Sequence, residues 1–282
     1  MENIKTCNSV EEKRNKILKR LKSDYDLLES MGYTVVGVFL QGSQNYKLDY
    51  EESDIDSKAI VLPSFKDVIL NKKPVSTTHI LPSNEHVDIK DIRLMFECFK
   101  KQNINFLEIL FTEYYILNPV FEKLYQPMLD RAEDIAHYNN YAAVNCIAGM
   151  VFEKRAALCH PYPSLMDRIE KYGFDRKQLH HIIRCNEFLY RYCNGEPYKN
   201  CLIPGDPDYL KEVKSNPNMT SLSEAISIAD MCVDKVKKFK EEYMNNTPLL
   251  INKDVEELMQ NVLYNILKLN FKIEILLGDE RE

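Results

Sequence analysis

Two aspartates one residue apart, Asp54 and Asp56, give the strongest chemical signal in the chain. The run after them, Ser57 to Leu62 (SKAIVL), reads as a buried β-strand. Side chains alternate faces along a strand, so both acids project to one side while Ile55 turns into the core. Two ionised carboxylates side by side repel each other, and a cation between them removes the conflict. Oxygen donors without His or Cys favour Mg²⁺ or Mn²⁺ over zinc. A third acid, Asp88, stands in the alternation Val87-Asp88-Ile89 and projects from one face of another strand, His86 to Lys90. If the two strands are neighbours, three carboxylates converge. Three acids can hold two metal ions about 4 Å apart, the arrangement used for in-line phosphoryl displacement.

Gly42-Ser43 supplies the anion-binding complement. The pair follows Thr34 to Leu40 (TVVGVFL), an apolar, β-branched run that reads as a buried strand. Glycine lets a backbone approach a phosphate closely. A turn opening into a helix presents free N–H groups to an anion, and Ser43 adds a hydroxyl.

Taken in order, the set is an apolar strand, Gly42-Ser43, nine residues, Ser53-Asp54-Ile55-Asp56, a second apolar strand and a later strand acid. It resembles the DNA polymerase β-like nucleotidyltransferase superfamily. It is similar above all to the bacterial and phage branch described as predicted nucleotidyltransferases or the RNA repair pathway polymerase-β family. That branch's pattern GS-x3-GL-x4-SD-x-D is met by Gly42, Ser43, Leu48, Ser53, Asp54 and Asp56, with Lys47 standing where the family often has Gly. The stretch Lys101-Gln102-Asn103-Ile104-Asn105-Phe106-Leu107-Glu108-Ile109-Leu110-Phe111 is similar to the family's K-x-N-x-N-x-L-E-x-L-F. Farther on, Lys177-x3-His181-x2-Arg184 is similar to a family K-x3-H-x2-R pattern, and its spacings of four and three share one helical face.

The resemblance implies an α+β fold: an N-terminal nucleotidyltransferase domain over residues 1–118, a mixed sheet with flanking helices, then a helical domain over 119–282. It implies transfer of a nucleoside monophosphate from an NTP to an acceptor hydroxyl, with two Mg²⁺ or Mn²⁺ ions on Asp54, Asp56 and Asp88. Asp88 would hold the acceptor-side ion and help deprotonate the hydroxyl. Gly42 and Ser43 would hold the β and γ phosphates. Lys177, His181 and Arg184 would clamp the triphosphate or base, the plainer reading being a solvated basic face. The acceptor it suggests is a tRNA-like RNA end; a small molecule or a protein hydroxyl are alternatives, as is a non-catalytic nucleotide-binding protein. Asn103, Asn105 and Glu108 read as caps and helix-surface residues.

The elements that must position these groups follow from periodicity. Residues 10–31 read as an amphipathic helix through Ile17, Leu18, Leu21, Leu27 and Leu28, capped by Asn8 or Ser9 and stopped at Gly32. Residues 92–101 and 106–111 look helical. From Pro119 onward the pattern is α throughout: 120–132, 138–159, 164–171, 175–193, 206–214, 221–243 and 252–277, the last expected to pack within the helical half rather than against a second subunit. All clear strands fall before residue 119, which is the basis for an α/β or α+β front half.

Composition excludes several classes. The 282 residues are 45% hydrophobic and 28% charged, enough for a large core. A net charge of −6 argues against a blanket nucleic-acid coat. Local basic runs (Lys13, Arg14, Lys16, Lys19, Arg20, Lys22; Lys235, Lys237, Lys238, Lys240) read as ordinary helix surfaces. No signal peptide and no run of 18 apolar residues appear, so a cytoplasmic protein without a membrane span is expected. The eight cysteines form no C-x-x-C pair and read as reduced packing residues. There is no G-x-S-x-G elbow, no P-loop and no H-E-x-x-H helix.

Overall fold

The computed structural model describes the backbone of residues 2–51 and 53–278 and, residue 164 apart, the side chains of these from residue 10 to 277. Glu52 and the side chains of Cys7, Asn8 and Ser9 lie outside the described residues. The first helix, α1 (Glu2–Ser30), starts earlier than periodicity suggested and carries Asn8 and Ser9 inside it rather than as caps. Its side chains Ile17, Leu21, Tyr25 and Leu28, at helical spacing, are fully or nearly fully buried. Each contributes roughly 1.5–3 kcal/mol by leaving water. Gly32, at φ +86°, ends the helix in a conformation that disfavours side chains.

The strands are β1 (Thr34–Gln41), β2 (Asp56–Leu62), β3 (Ser76–Ile80), β4 (His86–Asp91) and β5 (Tyr115–Leu117). They form one mixed sheet in the order β3-β4-β2-β1-β5. The pair β2/β4 is parallel and the others are antiparallel. Thus the Asp88 strand does lie beside the Asp56 strand, with Lys58 directly opposite Asp88. β3 (STTHI) and the three-residue β5 escaped the sequence reading because both are edge strands. β3 is mostly exposed and lacks an apolar stripe.

The sheet has two differently used faces. Val35, Val38, Leu40, Ile55, Ala59, Val61, Val87 and Ile89 pack under α1. Val36, Phe39, Ile60 and Leu62 face the other way, into a core shared with the helical half. An irregularity between Val35 and Gly37 lets Val35 and Val38 point to the same side.

Short helices α2 (Phe65–Ile69), α3 (Ile92–Lys100) and α4 (Ile104–Leu107) complete the front half. Asn103 caps α4 as read. The helical part comprises α5 (Glu122–Asp130), α6 (Ala132–Ala136), α7 (Asn140–Ala157), α8 (Met166–Tyr172), α9 (Arg176–Cys193), α10 (Tyr198–Leu202), α11 (Pro207–Ser215), α12 (Leu222–Asn246) and α13 (Lys253–Gly278). The architecture is α+β with a helical C-terminal part. The closing helix does not stay within that part. Asn270 Nδ2 donates to the Pro63 carbonyl at 3.0 Å, Glu274 accepts from the Phe65 N–H at 2.8 Å, and Phe271 meets Phe65 edge-on. One apolar core therefore runs from Val36 and Phe39 on the sheet to Ile266 on α13, because the sheet's second face must be covered.

The described cysteines are all free thiols. Burial holds several protonated; those of Cys193 and Cys201 are pushed up to about 12. Among the described residues no helix is long and apolar enough to cross a membrane.

Candidate functional site

A cavity of about 570 Å³ opens between the sheet's second face and helix α9, within the size range of small-molecule sites. Gly42, Ser43, Asp54, Asp56, Asp88, Lys177, His181 and Arg184 all line it. Residues from opposite halves of the chain thus meet at one place.

The sheet forms the acidic wall. Asp56 opens β2 and Asp54 lies two residues before it, with Ile55 buried under α1 as alternation requires. Asp56 Oδ1 accepts from the His86 N–H at 2.8 Å, and His86 Nδ1 lies 3.3 Å away. The Asp54 carboxylate has no partner among the described residues. Asp88 is met from three strands. Its Oδ1 accepts from Thr78 Oγ1 at 2.7 Å; its Oδ2 accepts from Gln41 Nε2 at 3.3 Å and from Lys58 Nζ at 3.5 Å. Burial pushes the Asp88 carboxyl up, but Thr78, the Lys58 ammonium and Gln41 outweigh it and hold it below its ordinary range. The Lys58 ammonium is itself buried and lies 4.3 Å from the centre of the Phe106 ring.

Behind this wall the Gly-Ser turn is fixed by a buried acid. Gly42 takes φ +88°, a conformation suited to glycine, and leads into a 3₁₀ turn over Ser43–Tyr46. Lys47 ends that turn in the left-handed conformation, φ +59°, so a lysine adopts here the geometry that glycine favours. Glu108 accepts from the Gly42 N–H at 3.3 Å and from the Tyr46 hydroxyl. Burial raises the Glu108 carboxyl above its ordinary range despite Lys58, Tyr46 and Arg184 nearby. Glu108 is 3% exposed, so it belongs to the site and not, as read, to a helix surface.

Helix α9 forms the basic wall. Asp175 caps it, accepting from the Lys177 N–H. Lys177, His180, His181 and Arg184 share its cavity-facing side, joined by Lys214 from α11. The face is solvated only at one end: Arg184 is 4% and His180 5% exposed, whereas Lys177 is exposed. The Arg184 guanidinium sits 4.1 Å from the centre of the Tyr46 ring, which links the two walls. Both ring nitrogens of His180, Nδ1 of His181 and Nε of Arg184 are buried without a hydrogen-bond partner among the described residues. Burial, then the positive charge of Arg184, depresses both imidazoles, His180 to about 3 and His181 well below its ordinary value. Burial and Lys177 also lower Lys214.

The donor set fits the divalent ions that the resemblance implies at two of the three acids. Asp54 and the second oxygen of Asp56 have no protein partner among the described residues and suit a hard cation. Asp88 suits one less, because its oxygens already serve Thr78, Gln41 and Lys58. Among the described residues no three His, Cys, Asp or Glu side chains form a metal-holding group.

Tyr46, Lys58, His180 and Lys214 were not singled out in the sequence. Lys58 had a signal: a charge in an otherwise apolar strand, two residues after Asp56 and so on the same face. The basic runs elsewhere behave as surfaces, with Lys13–Asp49, Lys22–Asp26 and Lys238–Glu242 ion pairs, except at Arg20, which is 13% exposed and paired with Asp24 and Glu85. No protein-family model matches the chain, and a comparison with curated proteins finds no match.

Proposed function

We propose that this protein is a metal-dependent nucleotidyltransferase that moves a nucleoside monophosphate from a nucleoside triphosphate to an acceptor hydroxyl, with release of pyrophosphate. One observation carries the reading: acids from the sheet and cations from α9, remote in sequence, line a single cavity. Asp54 and Asp56 are the groups for a divalent cation, which when bound neutralises triphosphate charge. Lys177, Arg184 and Lys214 bind phosphate oxygens, and the unpartnered imidazoles of His180 and His181 supply further hydrogen bonds to the nucleotide. The Gly42 turn brings backbone close to the phosphates.

Asp88, held ionised by its donors, orients the acceptor hydroxyl and takes its proton. The hydroxyl oxygen bonds to the α-phosphorus as the bond from that phosphorus to the α,β-bridging oxygen breaks. Pyrophosphate leaves with the electron pair. Catalysis on this reading is positioning and charge stabilisation. A side groove lined by Arg168, Tyr172, Phe174, Asp175, Arg176, Lys177 and Lys214, basic on balance although Asp175 pairs with Arg168, shares two cations with the cavity, which suits a phosphate-bearing acceptor such as an RNA end.

The test is incorporation of each α-labelled NTP into cellular RNA, with Mg²⁺ or Mn²⁺, beside the Asp54→Ala/Asp56→Ala double variant. Label in RNA with the native chain alone is the expected result. No transfer to RNA, small metabolites or protein would overturn the reading.

A further inference from the structure

Three carboxylates in one cavity suggest two metal ions, yet one of the three is already neutralised. Lys58 stands directly opposite Asp88 in the parallel β2/β4 pair, so both side chains leave the same face of the sheet side by side. The Lys58 side chain is only 3% exposed, and its ammonium is 3.5 Å from Asp88 Oδ2. Phe106 covers that ammonium from one side. The other oxygen of Asp88 is taken by Thr78, its cross-strand partner in the β3/β4 pair, and Gln41 from β1 closes the shell. Asp88 and its three donors sit on four neighbouring strands of one sheet, so the arrangement is built into the register and does not depend on a loop.

We infer that Lys58 is the protein's own cation at the acceptor side of the site, and that a single exchangeable divalent ion binds, at Asp54 and Asp56. The inference rests on the nucleotidyltransferase reading and replaces the second ion that the three acids alone suggested. Lys58 is a positioning residue in this scheme. Its charge holds Asp88 ionised and aligned without a metal bond, while Asp54 and Asp56 keep the open oxygens that an ion needs. A lysine there also confines metal dependence to one binding event.

The experiment counts ions. The full chain is saturated with an α,β-methylene nucleoside triphosphate and Mn²⁺, freed of excess by rapid ultrafiltration, and the retained Mn²⁺ and nucleotide are measured. One Mn²⁺ per chain is expected in the native protein. Asp88→Asn should still retain one, because Asp88 is not a ligand. Lys58→Met should retain two, because a freed Asp88 can then help bind a second ion. A merely structural Lys58 would leave the count unchanged, and that result overturns the inference. Two ions in the native chain overturn it as well, while leaving the nucleotidyltransferase reading intact. Retention of neither nucleotide nor Mn²⁺ sinks both. Should Lys58→Met fail to fold, the native and Asp88→Asn counts still decide: two ions in the native chain, or none in Asp88→Asn, refute it.

Discussion

The two walls of the cavity are finished differently. On the sheet wall three acids find partners within the protein, Asp56 with His86, Asp88 with Thr78, Gln41 and Lys58, and Glu108 with Gly42 and Tyr46, while the exposed Asp54 and one Asp56 oxygen stay open among the described residues. On the α9 wall, His180, His181 and Arg184 bury ring and guanidinium nitrogens that nothing described satisfies. Each such group costs about 1–3 kcal/mol. A fold tolerates that where a ligand later supplies the missing atoms. Asp54 and one Asp56 oxygen apart, the sheet wall is therefore organised before any ligand arrives, and the helix wall is completed by one. The first is suited to holding reacting groups in place, and the second to recognising an oxygen-rich, anionic molecule.

The division can be broken from either side. Asp54→Ala or Asp56→Ala should lower turnover by ~10³-fold or more through lost charge stabilisation. Asp54→Ala should not lower the melting temperature, since that carboxylate has no partner among the described residues, whereas Asp56→Ala also loses the acceptor of the His86 N–H; full activity in either variant would reject the assignment. Arg184→Met acts on the other wall and should weaken triphosphate binding by about 10- to 100-fold, the worth of one charge-assisted contact. Calorimetry without metal separates the two. Asp56→Ala should bind metal-free triphosphate at least as well as the native chain, and Arg184→Met should not. Equal losses in both would mean the walls do not divide the work.

A smaller effect concerns protons. His180 and His181 are held neutral by burial and by neighbouring cations. An anion among them offsets the neighbouring positive charge, so their affinity for protons rises on binding. Nucleotide binding at pH 6 should take up a fraction of a proton, read from calorimetry in buffers of different ionisation heat. Proton release instead would place the phosphates away from α9.

The sheet wall was largely legible in the sequence, and the helix wall only in part. Period-two alternation expects Asp54 and Asp56 on one side, and Ile55 is indeed buried and both acids line the cavity, although β2 itself starts only at Asp56. The β2/β4 adjacency needed the fold, since nothing in HVDIK names its neighbour. On α9, spacing placed Lys177, His181 and Arg184 together, but the same spacing suits a solvated face. Only packing against Tyr46 and α11 decides that Arg184 is buried. Glu108 was misread for the same reason. A glutamate beginning a short 3₁₀ turn looks like surface until the Gly42 turn is laid over it. Edge strands β3 and β5 and the return of α13 onto Pro63 are tertiary facts with little local signature.

The subtlest expected effect sets two acids of the sheet wall against each other. Burial raises the Glu108 carboxyl, so the folded chain holds that proton more tightly than the unfolded one. Its contribution to stability is complete below the ordinary glutamate range and is lost as pH rises through the raised folded value. Asp88 is the reverse case: burial is outweighed by Thr78, Lys58 and Gln41, and its folded value is lowered. Its contribution is present above the ordinary aspartate range and is lost as pH falls. A melting curve of the native chain alone averages the two. Glu108→Gln keeps an acceptor for the Gly42 N–H but cannot titrate, so the native chain's melting temperature relative to it should be highest in acid and fall toward neutrality. Relative to Asp88→Asn, the native chain should gain as pH rises. If both differences slope the same way, the opposite electrostatic assignments of these two carboxylates are wrong, and with them the view that Lys58 serves Asp88 rather than Glu108.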